Sequence, residues 1–285
     1  IQEEDRYYPR DLYESETMIA EKFERYLKQS TQSIEDSVID EKIKRTEELQ
    51  GITYDEIQKN AIKKFLEESA LILTGGPGTG KTTIVRCIVK LLIDINGLKV
   101  DKLALLAPTG RASRKLMDTT GIPAYTIHKY LGWDKEKNEF SVNEYNPNKE
   151  EYIIVDEASM IDTILMSSLL KGINKRAKII LVGDYYQLPS VSQGQVLKDM
   201  LDSDLLDVVR LNCLYRQSED SYITTLAGEV KDREISEDFL FKYDDYNFIP
   251  CDNEYIIPSV VDVVKKAMER GYDDKNIEYT FKNGQ

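Results

Sequence analysis

The sequence has little cysteine and almost no histidine. Its 285 residues contain three cysteines and one histidine. Cys87, Cys213 and Cys251 are too few and too scattered for a disulfide framework or a cysteine metal site, and one histidine excludes a His-based zinc site. Free thiols are typical of a reducing compartment, so we expect a cytoplasmic protein.

Long apolar runs and an excess of positive charge are also missing. No run approaches the ~20 apolar residues of a membrane span, and we expect no signal peptide. The net charge of −13 alone argues against a nucleic-acid binder. However, residues 1–50 carry −6, residues 51–198 carry +3 and residues 199–285 carry −10. Only the middle of the chain therefore offers a basic surface.

Short apolar runs alternate with helical patterns through the middle of the chain. Runs that are apolar throughout are typical of strands buried on both faces. They lie at Ala70–Thr74, Leu103–Ala107, Tyr152–Val155, Ile179–Val182 and Val208–Leu211, with helical patterns at 81–95, 110–118, 162–171, 194–201 and 219–230. This alternation predicts an α/β fold with a mainly parallel sheet.

The sequence before the first buried strand reads as helical. Amphipathic spacing predicts helices over 12–28 and 33–49, with Ser33 as the N-cap of the second, and a further helix over 54–66. We therefore expect residues 1–50 to form a small helical lead-in.

Two later segments interrupt the alternation or begin a new one. The polar and aromatic stretch 132–148 predicts a β-hairpin insertion. Residues 247–281 begin a second strand–helix–strand pattern, with Phe248 and Ile249 in its first strand. The chain starts at Ile1 and stops within this pattern, so we expect a piece of a longer protein.

A glycine-rich motif follows the first buried strand and opens a helix. Residues 75–82, GGPGTGKT, match G-x-x-x-x-G-K-[ST] at every position. Glycines let successive N–H groups face phosphate oxygens, and the helix adds the positive end of its dipole. Lys81 is expected to reach the β- and γ-phosphates, and the Thr82 hydroxyl to hold Mg²⁺. We predict an ATP and Mg²⁺ site formed by Gly76, Pro77, Gly78, Thr79, Gly80, Lys81, Thr82 and Thr83.

A pair of acids completes this prediction. Asp156 and Glu157 follow the apolar run Tyr152–Val155, at the end of a strand where α/β sheets place ligands. Asp156 is expected to ligate Mg²⁺, directly or through water, and Glu157 to act as general base on the attacking water. The alternatives are a plain glycine turn and a solvated acidic pair.

Polar residues beside the predicted strands suggest what the nucleotide site drives. An amide at Gln58 could read adenine. Gln187, after the fourth predicted strand, could contact the γ-phosphate and respond to its hydrolysis. Arg216, after the fifth, is a candidate arginine finger, an arginine that contacts the γ-phosphate. Thr109 and Arg111 follow the second strand, in a stretch over 102–129 with five basic residues and one acid, and could contact a phosphodiester.

Six motifs in order carry a family resemblance over residues 51–230. They are GGPGTGKTT, APTGRAS, TIHKYLG, IIVDEASM, LVGDYYQLPSV and LYRQ. The sequence resembles the RecD-like branch of superfamily 1 DNA helicases, which includes the exodeoxyribonuclease V alpha subunit. The lead-in LYESETMIAEKF is also similar to the helical segment before the motor in this family.

The resemblance implies a RecA-like fold and a DNA-translocating activity. It implies a first motor domain over 51–245 and the start of a truncated second one over 246–285. The implied activity is ATP-driven 5′→3′ translocation on single-stranded DNA in repair and recombination, with subunits of a helicase–nuclease complex as partners. It further implies that Gln58 reads adenine.

The resemblance also implies a DNA path. Thr109, Thr126 and His128 would lie along it, and the 132–148 hairpin would help to part the duplex. From the residues alone, His128 is as readily structural, and Trp133 and Phe140 could either stack bases or pin the hairpin to the motor.

Two other functions stay open at this stage. One is an AAA-type ATPase that remodels proteins, and the other is a non-catalytic nucleotide-binding module. No nuclease site is evident, because no further set of converging carboxylates appears. The nucleotide cleft of such a motor lies between two motor domains, and this chain holds only the first and the start of the second. We therefore expect the chain to bind Mg–ATP weakly and DNA poorly, and not to unwind duplex DNA.

Overall fold

A computed structural model describes residues 1–3, 6–29, 35–76, 78–211 and 221–269. The predicted N-cap Ser33 and the predicted strand over 277–281 lie outside these ranges. The chain divides into two compact units, 1–217 and 218–285. The boundary that we predict after residue 245 stays a prediction.

The described residues form ten strands and ten α-helices. The strands are β1 (Gln2–Glu3), β2 (Arg6–Tyr7), β3 (Ala70–Gly75), β4 (Leu103–Ala107), β5 (Ala124–Thr126), β6 (Trp133–Asp134), β7 (Glu139–Phe140), β8 (Tyr152–Val155), β9 (Lys178–Gly183) and β10 (Asp207–Leu211). The helices are α1 (Arg10–Leu27), α2 (Asp36–Gln50), α3 (Glu56–Glu67), α4 (Lys81–Lys90), α5 (Gly110–Thr120), α6 (Ile127–Tyr130), α7 (Thr163–Gly172), α8 (Val196–Asp202), α9 (Tyr222–Asp232) and α10 (Ile256–Glu269).

The main sheet of the first unit is entirely parallel. Its six strands run in the order β10-β3-β9-β8-β4-β5. The five strands that we predict are present, which confirms the mainly parallel α/β fold. The sixth strand, β5, was missed because it is three residues long, follows a proline and exposes Tyr125 at the sheet edge.

Apolar residues on both faces of each central strand explain why the sheet is buried. In β3, Leu71 and Leu73 pack on one face and Ile72 on the other, and β8 and β9 alternate in the same way. Burying one such side chain stabilises the fold by about 1.5–3 kcal/mol. One face is covered by α1, α6, α7 and α8, and the other by α2, α3, α4 and α5.

The lead-in helices belong to this core. Ile19, Phe23 and Tyr26 of α1 pack with α7 on one face of the sheet, whereas Ile39 and Ile43 of α2 pack on the other. The predicted lead-in therefore contributes to both layers of the first unit.

The predicted hairpin is present as β6 and β7, which pair antiparallel through Trp133–Phe140 and Asp134–Glu139. Asn138, between the two strands, adopts a left-handed conformation with φ of 54°. Such backbone is enriched in asparagine and suits tight hairpin connections.

The second unit contains α9 and α10. Asp245 accepts hydrogen bonds from Ser221 Oγ and Tyr222 N at the start of α9, and the ring of Tyr222 stacks on Tyr243 at 3.8 Å. The strand predicted at Phe248 and Ile249 is wrong. Both residues lie in irregular backbone, because Pro250 has no N–H to donate and no strand of the described residues pairs with them.

Close contact between β3 and β10 fixes the start of the glycine-rich loop. A Cβ at Gly75 would lie 2.8 Å from Leu211 O and 2.9 Å from Leu211 Cβ. The carbonyl oxygen and Cβ of Leu211 are fixed by the backbone of a buried strand. They cannot move aside as the end of a flexible side chain can.

We expect Gly75→Ala to lower the free energy of unfolding by roughly 1–3 kcal/mol, as overpacking does. Urea unfolding followed by circular dichroism measures this. Gly110→Ala is the matched control, because a Cβ there meets nothing within 4 Å. Equal midpoints for the two variants would contradict the packing argument.

Candidate nucleotide site

The candidate site lies at the carboxyl edge of the parallel sheet. A cavity of about 310 Å³ is lined there by Gly78, Thr79, Gly80, Lys81, Thr82, Thr83, Lys115, Asp156, Glu157 and Gln187. These residues come from the glycine-rich loop with α4, from α5, from the end of β8 and from the loop after β9. The structure thus brings together the predicted lysine, threonines, acids and glutamine.

The glycine-rich loop is curled by two residues with left-handed backbone. Gly78 has φ of 81° and Gly80 has φ of 90°, which glycine adopts without steric penalty. The Thr79 hydroxyl donates to Gly76 O at 2.8 Å and closes the loop from inside. Pro77 lies outside the described residues. The loop leads directly into α4, whose first turn carries Lys81, Thr82 and Thr83.

The Lys81 side chain folds back over the loop. Its Nζ donates to the carbonyl oxygens of Gly75 and Gly76, the second at 2.8 Å. Burial lowers the pKa of Lys81. The nearby carboxylate of Asp184 is the strongest of the groups that raise this pKa. A half-buried ammonium held by two neutral carbonyls is a group that an anionic ligand would stabilise better.

Asp156 is a carboxylate in a position where its charge is unfavourable. Burial raises its pKa, and repulsion by the Glu157 charge raises it further. The hydrogen bond from the Glu157 N–H and the positive charges of Lys115 and Lys81 lower this pKa. Its Oδ1 accepts from the Glu157 N–H at 2.9 Å. The half-buried Asp156 carboxylate and the Thr82 hydroxyl line one cavity, and such hard oxygen ligands suit Mg²⁺.

Glu157 occupies strained backbone. It has φ of 53° and ψ of 41°, a left-handed conformation that is uncommon for a residue with a side chain. Strain of this kind clusters at functional sites. Here it turns the chain sharply at the end of β8, so that both acids line the cavity.

Sequence reasoning missed two charged groups of this site. Asp184, 3% exposed at the end of β9, places its charge near Lys81, and its Oδ1 accepts from the Tyr186 N–H at 3.1 Å. Lys115 belongs to the basic stretch over 102–129, which the sequence assigns to DNA contact, but it lines the nucleotide cavity instead. The signal for Asp184 was available: an acid directly after an apolar strand, as at Asp156.

Gln58 lies outside the residues that line the cavity. It is 5% exposed, and its Oε1 accepts from the Asp55 N–H at 3.2 Å while Asp55 Oδ1 accepts from the Gln58 N–H. The pair forms a capping box at the start of α3. Its expected role towards adenine stays a prediction. Arg216, the candidate finger, and the LYRQ motif lie outside the described residues.

The predicted DNA contacts gather on two neighbouring strands. Thr109 follows β4 and Thr126 ends β5, the last two strands at one end of the sheet order. Each threonine is an N-cap: Thr109 Oγ1 accepts from Ala112 N at 3.2 Å and Thr126 Oγ1 from Lys129 N at 3.1 Å. Each hydroxyl keeps its proton for another acceptor.

The aromatic residues of the hairpin pack on one another and on α6. The rings of Trp133 and Phe140 lie 4.7 Å apart, and His128 contacts them at 5.9 and 5.8 Å. His128 itself is exposed. Of the two alternatives for Trp133 and Phe140, pinning the hairpin to the motor is the one these contacts support.

The fold and this cavity define a RecA-like P-loop domain. Residues 58–193 match the family described as "AAA domain". A Candida albicans Pif1 helicase structure has a similar fold, with a TM-score of 0.52 and 23% identity over 66% of this chain and 46% of that one.

Two curated relatives carry the resemblance further. The chain is 37% identical to the RecBCD enzyme subunit RecD of Buchnera aphidicola over 161 residues, which cover 50% of this chain and 27% of the relative. It is 36% identical to the ATP-dependent RecD2 DNA helicase of Deinococcus radiodurans over 172 residues, or 60% of this chain and 23% of that protein.

Over this region the chain is similar to RecD and RecD2, in agreement with the resemblance that its motifs carry. It spans about a quarter of the length of these two relatives. Among the described residues, no helix is long and apolar enough to cross a membrane, and no cluster of three or more histidine, cysteine or acidic residues could hold a metal ion by itself.

The raised pKa of Asp156 gives a prediction about stability. The pKa of Asp156 in the folded state lies above its ordinary value, so the ionised carboxylate destabilises the fold. This penalty is fully present above the folded-state pKa, decreases as pH falls through it, and disappears below the ordinary value. Asp156→Asn keeps the acceptor oxygen and removes the charge. We expect it to raise the melting temperature at pH 7 to 8, with no difference from wild type below about pH 3.9.

Asp118→Asn, on the exposed face of α5, is the control for a change of net charge alone. Thermal unfolding of both variants across this pH range checks the prediction. The same pH dependence in both variants would show that Asp156 bears no burial penalty.

Proposed function

We propose that this chain carries the ATP-hydrolysing motor of a DNA helicase that moves along single-stranded DNA in repair and recombination. One observation carries the proposal: Lys81, Thr82, Asp156, Glu157 and Gln187 come from three segments of the chain and line a single cavity. That convergence supplies both the phosphate cradle and the acids that hydrolysis needs. The Deinococcus radiodurans relative, which is named an ATP-dependent DNA helicase, supports the same function.

The residues divide the work on a bound Mg–ATP. Lys81 leaves the loop carbonyls for the β- and γ-phosphates, and the loop N–H groups hold the remaining phosphate oxygens. Thr82 and Asp156 hold the magnesium ion, which neutralises phosphate charge when bound. Glu157 takes a proton from the attacking water while the bond between the γ-phosphorus and the β–γ bridging oxygen breaks and ADP leaves. Gln187 contacts the γ-phosphate, so that the loop after β9, which carries Gln187, responds when this phosphate is lost.

The polynucleotide lies across the same edge of the sheet. The loop after β4 and the start of α6 after β5 are adjacent there. β4 pairs directly with β8, which leads into the acids, and β5 lies one strand further. Thr109 and Thr126 donate their hydroxyl protons to phosphate oxygens, with Arg111 and His128 beside them. The hairpin β6–β7, fixed through Trp133, Phe140 and His128, stands next to this path and parts the duplex.

A second motor domain completes the cleft in this proposal. Arg216 acts as the finger on the γ-phosphate, Gln58 reads adenine, and translocation runs 5′→3′, all by resemblance to the RecD-like family. Subunits of a helicase–nuclease complex are the proposed protein partners. The described part of the chain alone should bind Mg–ATP weakly and should not unwind DNA.

Nucleotide binding tests the site directly. We expect Lys81→Ala to weaken binding of a fluorescent ATP analogue with Mg²⁺ about a hundredfold, because a half-buried phosphate contact loses its charge. Lys90→Ala, on the last turn of the same helix, should bind as wild type does. Equal affinity of both variants would refute the assignment of the site.

Hydrolysis separates a motor from a binding module. In the complete protein, Glu157→Gln should retain nucleotide affinity but lose at least a hundredfold in turnover, as removal of a catalytic base does. Unchanged turnover would favour a non-catalytic module.

Stimulation separates a helicase from a protein remodeller, a class that the AAA domain match also fits. We expect oligo(dT) to raise the ATPase rate of the complete protein severalfold, and unfolded protein to leave it unchanged. The opposite pattern would favour the remodeller.

A further inference from the structure

A second cavity, of about 180 Å³, lies in the first unit at the opposite edge of the sheet. One face of α1 lines it, together with the segment after the hairpin and the end of α7. Pro147 precedes β8 and Lys175 precedes β9, so this α1–α7 cavity lies at the amino ends of the strands. It is therefore separate from the nucleotide cavity at the carboxyl ends.

The α1–α7 cavity is positively charged in an acidic chain. Four cations line it, Lys22, Arg25, Lys171 and Lys175, against the two acids Glu21 and Glu144. Of these four cations, only Arg25 lies within 4.0 Å of a carboxylate of the described residues, that of Glu21 at 3.6 Å. The whole chain carries −13, so this concentration of unpaired lysines is a local exception.

Lys22 shows that the cations are crowded. Burial lowers its pKa first, and Arg25 and Lys175 lower it further, whereas only Glu144 acts in the other direction. The turn that carries Lys175 is held against α1, since Gln29 Nε2 donates to Lys175 O at 3.1 Å. An anion placed among these side chains would relieve their repulsion without rearranging the backbone.

The rest of the cavity wall is apolar. Met18 and Pro147 form its accessible part, whereas Leu170 and Ile173 belong to the buried core, at 0% and 1% exposure. Small-molecule sites usually enclose ~300–1,000 Å³, so a cavity of about 180 Å³ is small for a cofactor and is nearer the size of one side chain. An apolar wall with a cationic rim suits an apolar side chain flanked by carboxylates.

An exposed tyrosine stands at the rim. Tyr145 lies between Glu144 and Pro147, which both line the cavity, and is 91% exposed. Its N–H donates to Asn143 Oδ1 at 3.0 Å, and Asn146 N donates to Asn143 O at 3.1 Å, so an ordered turn presents the ring. Tyrosine is enriched at protein–protein interfaces, where a ring contributes large contact area.

We propose that the α1–α7 cavity binds a short segment of a partner protein in which an apolar side chain is flanked by acidic ones. The apolar side chain contacts Met18 and Pro147. The carboxylates contact Lys22, Lys171 and Lys175, and the ring of Tyr145 packs against the bound backbone. This site lies away from the proposed DNA path, and it does not depend on the nucleotide chemistry.

A labelled peptide tests the proposal on the whole chain. The probe is fluorescein-labelled Asp-Glu-Leu-Phe-Glu-Asp, and its matched control replaces the acids by Asn and Gln. Fluorescence anisotropy should show binding of the acidic peptide at concentrations below about 1 mM, weaker at high salt, and no binding of the control.

Variants locate the site. We expect Lys22→Gln with Lys175→Gln to weaken peptide binding about tenfold, by loss of two charge contacts. Tyr145→Ala should weaken it without any change of charge. Lys44→Gln with Lys99→Gln, at exposed lysines on α2 and before β4, is the control for net charge and should bind as wild type does. Melting temperatures establish that each variant folds.

Absence of binding of the acidic peptide up to about 1 mM would overturn the proposal, and so would an equal loss in cavity and control variants. Two further results would also overturn it. One is a loss of oligo(dT) affinity in the cavity variant while peptide binding is unchanged, which would assign the cavity to nucleic acid. The other is self-association of the wild-type chain in sedimentation that the cavity variant abolishes, which would assign it to a second copy.

Discussion

Parallel pairing of β3, β9 and β8 in register is the constraint on which the site depends. Thr74 pairs with Gly183 and Val155 with Leu181, so the glycine-rich loop, the acids after β8 and the loop after β9 leave the sheet at one edge. The pairing itself rests on side chains that are apolar on both faces, such as Ile154 and Ile180. A cavity for a charged ligand thus depends on an uncharged core beneath it.

The positive and negative side chains around the nucleotide cavity neutralise one another only in part. Asp156 is buried beside another acid, Lys81 is held on neutral carbonyls, and Asp184 and Lys115 add one charge of each sign. Such an arrangement is unfavourable for these charges by themselves, and a ligand carrying phosphate and a divalent cation would relieve it. The strained turn at Glu157 belongs to the same pattern, because it directs both acids into the cavity at the expense of backbone energy.

Much of this could be read from the sequence, because the signals are local. The match of residues 75–82 to the phosphate motif, the acids directly after an apolar run at Asp156, and the strand–helix alternation each depend on neighbouring residues. Segments with weak local signals were predicted less well. The three-residue strand β5 escaped notice, and the pair Phe248–Ile249 was taken for a strand although Pro250 and the absence of a pairing strand leave it irregular.

The sequence by itself determined the parallel α/β fold, the phosphate loop and the residues expected to meet it, since strand burial and glycine backbone freedom are written in short stretches. Only the tertiary structure decided that Lys115 joins the nucleotide site, that Trp133 and Phe140 pack with His128, and that Lys22, Lys171 and Lys175 share a second cavity. These groups are separated by many residues along the chain. Their proximity follows from how helices cross the two faces of the sheet, which no local pattern specifies.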